Sequence, residues 1–298
     1  MSTARVALVT ARAAHGLDED LPPLLAACAA RSLAVEAVDW DDGAVDWSRF
    51  GLALLRSTWD YTMRLPEFLA WVERAAARTR LHNPPAVVRW NVDKHYLAHL
   101  ARAGAAVVPS HFVEPGETPA AALQAFLAAH AEAELVVKPA VGAGSRDAAR
   151  YGREELDAVR AHLGRLLAAG RSALLQPYLA RVDALGETAL IYFEGRFSHA
   201  IRKGPLLARA AAPVRALFAI EHIEPRLPGA DELALAERVL GALPFPTPLY
   251  ARVDLIRDAD GGPRVLELEL TEPSLFFDHA PGSAGRFAAA IAARLAAP

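Results

Sequence analysis

Residues 250–270 read YARVDLIRDADGGPRVLELEL and are the most informative part of the sequence. Two runs that alternate apolar and charged residues flank a turn rich in Asp and Gly, which is typical of a β-hairpin. We assume that Arg257 pairs with Arg264. Side chains alternate between the two faces of a strand. One face is therefore predicted to be apolar and buried, and it carries Val253, Leu255, Leu266, Leu268 and Leu270.

The other face of this hairpin carries charge. The same pairing places Asp254 opposite Glu267 and Arg252 opposite Glu269. Carboxylates that face each other across a ladder repel, so a cation is expected among them. Hard oxygen ligands suit Mg²⁺, which proteins commonly share between one or two carboxylates and a bound phosphate. We predict that Asp254, Glu267 and Glu269 are metal ligands and that Arg252 faces a transferring phosphoryl group. A solvent-exposed hairpin with a charged outer face is the alternative.

Two lysines lie in settings that suit phosphate. Lys138 ends a predicted strand, and a loop of small residues with Gly142, Gly144 and Ser145 follows it. Glycines let backbone N–H groups approach phosphate oxygens, and a lysine supplies charge. The lysine precedes the glycines, so the loop is not a Walker A motif. Lys94 is predicted at a helix start, where the helix dipole disfavours a cation and an anionic partner would compensate.

A segment further along the chain resembles an edge segment whose backbone groups recognise a flat nucleobase. It consists of Gln176, Pro177, Tyr178 and Leu179, and Glu187 begins the next predicted strand. By itself this signal is weak.

The whole chain sets broad limits. It has 298 residues, a formal net charge of −3 and one cysteine, Cys28. No basic cluster interleaved with aromatic residues predicts nucleic-acid binding, and no apolar run is long enough for a membrane span. The lone cysteine excludes an internal disulfide and fits a reducing compartment, so we expect a cytoplasmic protein.

Alternation of strands and helices predicts an α/β fold at the start of the chain. Strands are expected at 6–10, 33–40 and 52–56, and helices at 21–30 and 65–78, which favours a parallel sheet covered on both faces. Later segments are richer in hairpin signals, including Glu194-Gly195 as a turn. We predict three domains, namely an N-terminal substrate domain (1–92), a central lid (93–174) and a C-terminal catalytic part (175–298).

The order of these motifs resembles the ATP-grasp superfamily over nearly the whole chain. The resemblance implies an N-terminal parallel-sheet domain followed by two α+β lobes that hold ATP between them. It implies that Lys94 and Lys138 bind the nucleotide, that the loop with Gly142, Gly144 and Ser145 closes over its phosphates, and that residues 176–179 form the adenine hinge. It also implies that Glu187 reaches the ribose or nearby nucleotide.

Within the superfamily the chain is similar to the glutathione-synthetase-like branch, and more narrowly to the cyclo-ligases of D-cycloserine biosynthesis, which close O-ureido-D-serine into a ring. The similar stretches are 45–50, 198–204 and 266–275. The stretch 56–61 departs from the cyclo-ligases, and Glu269 stands where the superfamily usually has Asn.

The resemblance implies an ATP- and Mg²⁺-dependent ligase that activates a small carboxylate as an acyl phosphate and joins it to nitrogen. Arg202 and Lys203 join Arg252 as predicted catalytic residues. The predicted substrate residues are Arg56, Asp60, Tyr61, His199 and Glu272. A small-molecule kinase on the same fold and a non-catalytic ATP-binding regulator are the alternatives. The resemblance also suggests a homodimer.

Overall fold

The N-terminal part is a parallel sheet with helices on both faces. The computed structural model describes residues 5–209 and 222–297. The sheet contains β1 (Arg5–Thr10), β2 (Val35–Asp39), β3 (Phe50–Ser57) and β4 (Leu81–His82) in the order β2-β1-β3-β4. Alternate residues of β1 enter two separate cores, one with α1 (Leu21–Ala29) and the other with α2 (Leu65–Ala76). This confirms the predicted α/β start.

Two short helices, α3 (Pro85–Asn91) and α4 (Tyr96–Arg102), lead to a second sheet. This sheet contains β5 (His111–Val113), β6 (Glu134–Pro139), β7 (Ala149–Gly152) and β8 (Ala173–Pro177) in the order β5-β8-β6-β7, with antiparallel pairing. The helices α5 (Pro119–Ala129) and α6 (Leu156–Ala168) pack on it and bury the apolar stripe that their sequences carry.

The third sheet is antiparallel and carries the hairpin from which the sequence analysis began. After α7 (Val182–Leu185) come β9 (Glu187–Phe193), β10 (Arg196–Lys203) and β11 (Ile223–Arg226). After α8 (Ala230–Gly241) come β12 (Tyr250–Arg257) and β13 (Pro263–Glu269), and α9 (Ser283–Ala296) ends the described chain. The strand order is β11-β10-β9-β12-β13. The sheet therefore places the last residue of β10 near the charged half of the hairpin.

The register of this hairpin is right at its functional end and wrong at its turn. Arg252 pairs with Glu269 and Asp254 with Glu267, as predicted. Arg257, however, pairs with Pro263 rather than Arg264, because a β-bulge follows Asp254.

The bulge moves one apolar side chain to the other face of β13. Leu255 pairs with Val265, so Leu266 is the extra residue, and Val265 is fully buried in place of the predicted Leu266. Backbone hydrogen bonds from Val265 N to the Ala106 carbonyl (2.8 Å) and from Val108 N to the Val265 carbonyl (2.9 Å) hold this arrangement. A second chain segment thus decides which apolar residue is buried.

Each of the three sheets lies largely within one of the three ranges predicted as domains. The predicted boundary at 174/175 falls inside β8, which belongs to the second sheet, so a break after Pro177 follows the sheets better. The division into domains remains a proposal. Within 5–209 and 222–297, no helix combines the length and the apolar character that crossing a membrane requires.

Candidate active site

All three lysines of the chain lie around one cavity. Lys94 precedes α4, Lys138 lies in β6 and Lys203 ends β10, so each comes from a different part of the fold. The chain has 32 basic residues, and every one except these three is arginine. A compact ammonium fits where the larger planar guanidinium does not. The scarcity of lysine is thus a sequence signal that points to Lys203 as firmly as to the other two.

Lys94 and Lys138 meet a carboxylate of the hairpin. Lys138 Nζ lies 2.9 Å from Glu267 Oε1, and Lys94 Nζ lies 3.7 Å from the same oxygen. Lys94 also donates to the Gly142 carbonyl at 2.7 Å, which ties the small-residue loop to the segment that precedes α4. Two cations therefore converge on Glu267, and two charges of the same sign are held close together.

Lys203 and Arg252 surround the second carboxylate. Lys203 Nζ donates to Asp254 Oδ2 at 2.9 Å and also contacts Glu187. Arg252 donates to both Asp254 oxygens, from Nε to Oδ1 at 2.9 Å and from Nη2 to Oδ2 at 2.9 Å, and Nη2 also contacts Glu269. The charged face of the hairpin is thus a buried network rather than a solvated outer surface.

The electrostatics of this network differ from one carboxylate to the next. Burial opposes ionisation of Asp254, but Arg252 and Lys203 overcome it and hold the pKa of Asp254 well below its usual range. Burial raises the pKa of Glu269 above its ordinary value, Arg252 opposes this rise, and the nearby negative charge of Asp254 adds to it. Additional positive charge at this point would favour the ionised form of Glu269.

The cavity, of about 450 Å³, brings together most of the predicted site residues. These are Lys94, Lys138, Gly142, Gly144, Ser145, Gln176, Pro177, Tyr178, Leu179, Glu187, Lys203, Arg252, Asp254, Glu267, Glu269 and Glu272.

One end of the cavity is built to accept a flat apolar group. Leu266, which the bulge turns toward the cavity, and Ile256 line it together with the predicted hinge residues. Within the hinge, Tyr178 donates to Asp183 Oδ1 at 2.5 Å, and the Arg150 guanidinium stacks over the Tyr178 ring at 3.6 Å from its centroid. These contacts hold the Tyr178 side chain in place.

The residues present fit a magnesium ion by their chemistry. Asp254 and Glu267 face each other across β12 and β13, and Glu269 lies two residues further along the same strand. Their side chains now pair with the surrounding cations, and within the described residues no set of three or more His, Cys, Asp or Glu side chains is arranged to hold a metal ion. The predicted ligand set of Asp254, Glu267 and Glu269 therefore remains a proposal, in which the carboxylates exchange their cationic partners for the metal.

Three predicted substrate residues of the first sheet lie outside the cavity lining. Arg56 is fully buried, and its guanidinium lies 3.7 Å from Asp20 Oδ2. Asp60 accepts hydrogen bonds from Trp40 Nε1 (2.9 Å) and Arg64 Nη1 (3.1 Å) and so stabilises the turn after β3. Tyr61 is buried beside the cavity wall, and its hydroxyl donates to the Glu272 side chain. Direct substrate contact by Arg56 or Asp60 does not fit this arrangement.

Two predictions on β10 also do not fit. His199 Nε2 donates to the Leu275 carbonyl at 2.7 Å, and burial lowers the pKa of His199 to about 4, so it is a neutral structural histidine. Arg202 points to the opposite face of β10 from Lys203. Its guanidinium donates to the carbonyls of Leu185 (2.8 Å) and Ala184 (3.3 Å) at the end of α7. The strand alternation thus assigns only Lys203 to the cavity.

The sequence analysis missed several residues of the cavity wall. Asp20, Trp59, Ser274 and Phe276 all line it, and Trp59 donates to the Glu272 carbonyl at 3.2 Å. Asp20, Ser274 and Phe276 lie outside helices and strands, and Trp59 begins a short 3-10 helix (Trp59–Met63), so strand or α-helix periodicity could not assign them to the cavity.

Comparisons with known proteins agree with this geometry. A family model described as the N-terminal domain of D-cycloserine synthetase DcsG matches residues 6–83. The chain is 45% identical to the cycloserine biosynthesis protein DcsG of Streptomyces lavendulae over 299 residues, which cover 97% of this chain and 98% of that protein. The chain belongs to the DcsG family.

Solved structures extend this result. The crystal structure of D-cycloserine synthetase DcsG matches this DcsG-family chain with a TM-score of 0.90 and 44% identity, covering 98% of this chain and all of that one. The ATP-grasp ligase PsnB, in complex with a minimal precursor, Mg and ADP, matches with a TM-score of 0.65 at 18% identity, covering 99% and 98%. The predicted ATP-grasp fold is confirmed, and the protein is an ATP-dependent ligase.

Proposed function

We propose that the cavity binds ATP with Mg²⁺ and that the enzyme activates the carboxylate of a small amino-acid-like substrate for attack by nitrogen. The observation that carries this proposal is the convergence of Lys94, Lys138, Lys203 and Arg252 on three hairpin carboxylates within one cavity. ATP-grasp ligases generally use ATP and Mg²⁺, and this set of charges matches what a nucleotide phosphate chain and a divalent cation require.

The chain's own residues account for the positioning of the phosphates. Lys94 and Lys138 neutralise phosphate oxygens, and the backbone of residues 142–145 lies beside Lys94, where it can donate to the same oxygens. Gln176 to Leu179, with Ile256 and Leu266, would hold the adenine ring. Glu187 lines the cavity beside Lys203, and we assign it to the ribose or the nearby part of the nucleotide.

At the reacting end, Arg252 and Lys203 stabilise negative charge on the group that passes from ATP to the substrate carboxylate. Asp254, Glu267 and Glu269 would hold the metal, which when bound neutralises charge on the phosphates. Activation gives an acyl phosphate, and a nitrogen nucleophile then displaces phosphate. The loop of residues 142–145 would exclude water, which would otherwise hydrolyse that intermediate.

We propose ring closure of O-ureido-D-serine, or of a closely related amino-acid derivative, as the overall reaction. The full-length likeness to a cycloserine biosynthesis protein supports this choice. The substrate would lie at the end of the cavity formed by Glu272 and Trp59, with the Tyr61 hydroxyl on the Glu272 side chain behind them. The stretch 56–61, which departs from the cyclo-ligases, includes Trp59 of this wall, so it bears on which derivative is accepted.

The test is substrate-dependent turnover. The protein is incubated with ATP, Mg²⁺ and a panel of amino-acid derivatives that includes O-ureido-D-serine, with and without hydroxylamine, and ADP, phosphate and organic products are followed by mass spectrometry. We expect ADP and free phosphate only with an accepted carboxylate, and a hydroxamate when hydroxylamine is present. The Arg252→Lys variant is the control and should lower the rate on the order of 10²-fold.

Two outcomes would contradict the proposal. A product that retains the phosphate would make the protein a small-molecule kinase. Cyclisation that proceeds equally well without ATP would exclude acyl-phosphate activation.

A further inference from the structure

The carboxylate of Asp20, in the N-terminal sheet domain, holds the chain segment that follows β13 of the hairpin. Asp20 is buried, and its side chain accepts hydrogen bonds from three consecutive backbone N–H groups. Oδ2 accepts from Leu275 at 2.5 Å and from Phe276 at 3.1 Å, and Oδ1 accepts from Phe277 at 2.8 Å. The two segments lie 255 to 257 residues apart in sequence, so this contact joins the two ends of the fold.

The held segment has a backbone conformation that needs support. Phe276 is left-handed, with φ 55° and ψ 47°, a region that residues other than glycine adopt only at a cost. The three hydrogen bonds to Asp20 compensate for this cost. Arg56, which is fully buried and lies 3.7 Å from Asp20, balances the carboxylate charge in the interior. This gives the buried arginine of β3 a role that does not require contact with a ligand.

The same segment contacts the arginine at the reacting end of the cavity. Arg252 Nη1 donates to the Ser274 carbonyl at 3.1 Å, and the Phe276 ring lies 5.5 Å from the Arg252 guanidinium carbon, within the range of a cation–π contact. The same guanidinium also contacts Asp254 and Glu269, the proposed metal ligands. If Asp254 and Glu269 bind a metal ion instead of Arg252, Arg252 keeps its contacts with Ser274 and Phe276.

We propose that Asp20 is a positioning residue of the reaction: it holds residues 274–277 so that the Ser274 carbonyl and the Phe276 ring orient Arg252 toward the transferring phosphoryl group. This inference rests on the proposed function, since it presumes that Arg252 acts on that group. A displacement of about 1 Å at a catalytic group is enough to slow a reaction substantially.

The test begins with Asp20→Asn. The amide keeps one acceptor oxygen, but its NH₂ group must face a backbone N–H, so at least one of the three hydrogen bonds is lost. We expect kcat to fall on the order of tenfold, while the Kd for ADP changes by less than about twofold, because the hinge and the lysines are untouched. Thr79→Val is the matched control. It removes a buried hydrogen bond of the same sheet domain, from Thr79 Oγ1 to the Phe50 carbonyl at 2.8 Å, away from residues 274–277.

A double-mutant comparison separates positioning from a general loss of stability. If Asp20 acts through Arg252, Asp20→Asn should lower kcat much less in an Arg252→Lys background than in the parent. An equal loss in both backgrounds, or an equal loss in Thr79→Val, would overturn the proposal.

A binding measurement keeps the inference testable if no substrate of the panel is turned over. Affinities for ADP and for the non-hydrolysable β,γ-imido analogue of ATP are measured with Mg²⁺ in the parent and in Asp20→Asn. We expect the variant to weaken the analogue several-fold more than ADP, since Arg252 faces the terminal phosphate. Equal weakening of both nucleotides would refute the positioning role, whereas failure of turnover in the parent alone would count only against the proposed substrate.

Discussion

Replacement of Lys138 by Met is expected to weaken nucleotide binding far more than it weakens the fold. The side chain is 10% exposed and its ammonium lies 2.9 Å from Glu267. Burial lowers the pKa of Lys138, and the neighbouring Glu267 carboxylate opposes this shift and favours the charged form. Met has nearly the same length, so the change removes the charge and leaves the packing largely intact.

The magnitude follows from the contacts of the ammonium. A hydrogen bond to a charged group contributes about 1.5–3 kcal/mol, so loss of the bond to a phosphate oxygen should raise the Kd of ADP roughly 10- to 150-fold. The free energy of unfolding should fall by less than the free energy of ADP binding, because Glu267 still has Lys94 at 3.7 Å. Calorimetric titration with ADP and Mg²⁺ measures the affinity, and thermal unfolding measures the stability.

A matched variant sharpens this experiment. Lys138→Arg keeps the charge but must fit a larger group into a nearly closed space, so we expect it to bind ADP less tightly than the parent as well. An ADP affinity within about threefold of the parent in a folded Lys138→Met protein would refute our assignment of this lysine to the phosphates.

Three further predictions concern the metal, one glycine and one histidine. Asp254→Asn should abolish the increase in ADP affinity that Mg²⁺ produces in the parent, and an unchanged increase in calorimetric titrations would argue against this ligand. Gly186→Ala should lower the free energy of unfolding by at least about 1 kcal/mol in denaturant titrations, because Gly186 has φ 71° and an added Cβ would clash with the Lys203 carbonyl oxygen. Gly241→Ala is the control and should not destabilise the fold, because the space around Gly241 is open. Burial lowers the pKa of His199 to about 4, so as the pH falls the unfolded state binds a proton before the folded state does. The contribution of His199 to the free energy of unfolding is therefore complete above about pH 6.5 and should decline by about 3 kcal/mol toward pH 4. His199→Gln should flatten this part of the pH profile of unfolding.

Strand-level sequence patterns predicted much of the site. Alternation along β12 and β13 placed Arg252, Asp254, Glu267 and Glu269 on one face, because side-chain direction in a strand depends only on position along it. The same rule could have excluded Arg202 once Lys203 was assigned to the cavity.

Contacts between distant segments were beyond the reach of such patterns. The bulge that turns Leu266 into the cavity depends on hydrogen bonds between Val265 and the backbone of residues 106 and 108, and a period-two pattern contains no information about them. The burial of Arg56 beside Asp20 likewise depends on how the sheet domain docks on the loop after β13.

Local periodicity and residue type were therefore enough to predict the fold class, the charged hairpin and the lysines. Which of the remaining polar residues line the cavity, and which only support its wall, depends on the folded chain. The physical reason is that burial and hydrogen-bond partners are set by segments far apart in the chain, as Asp20 shows by its bonds to the backbone of residues 275–277.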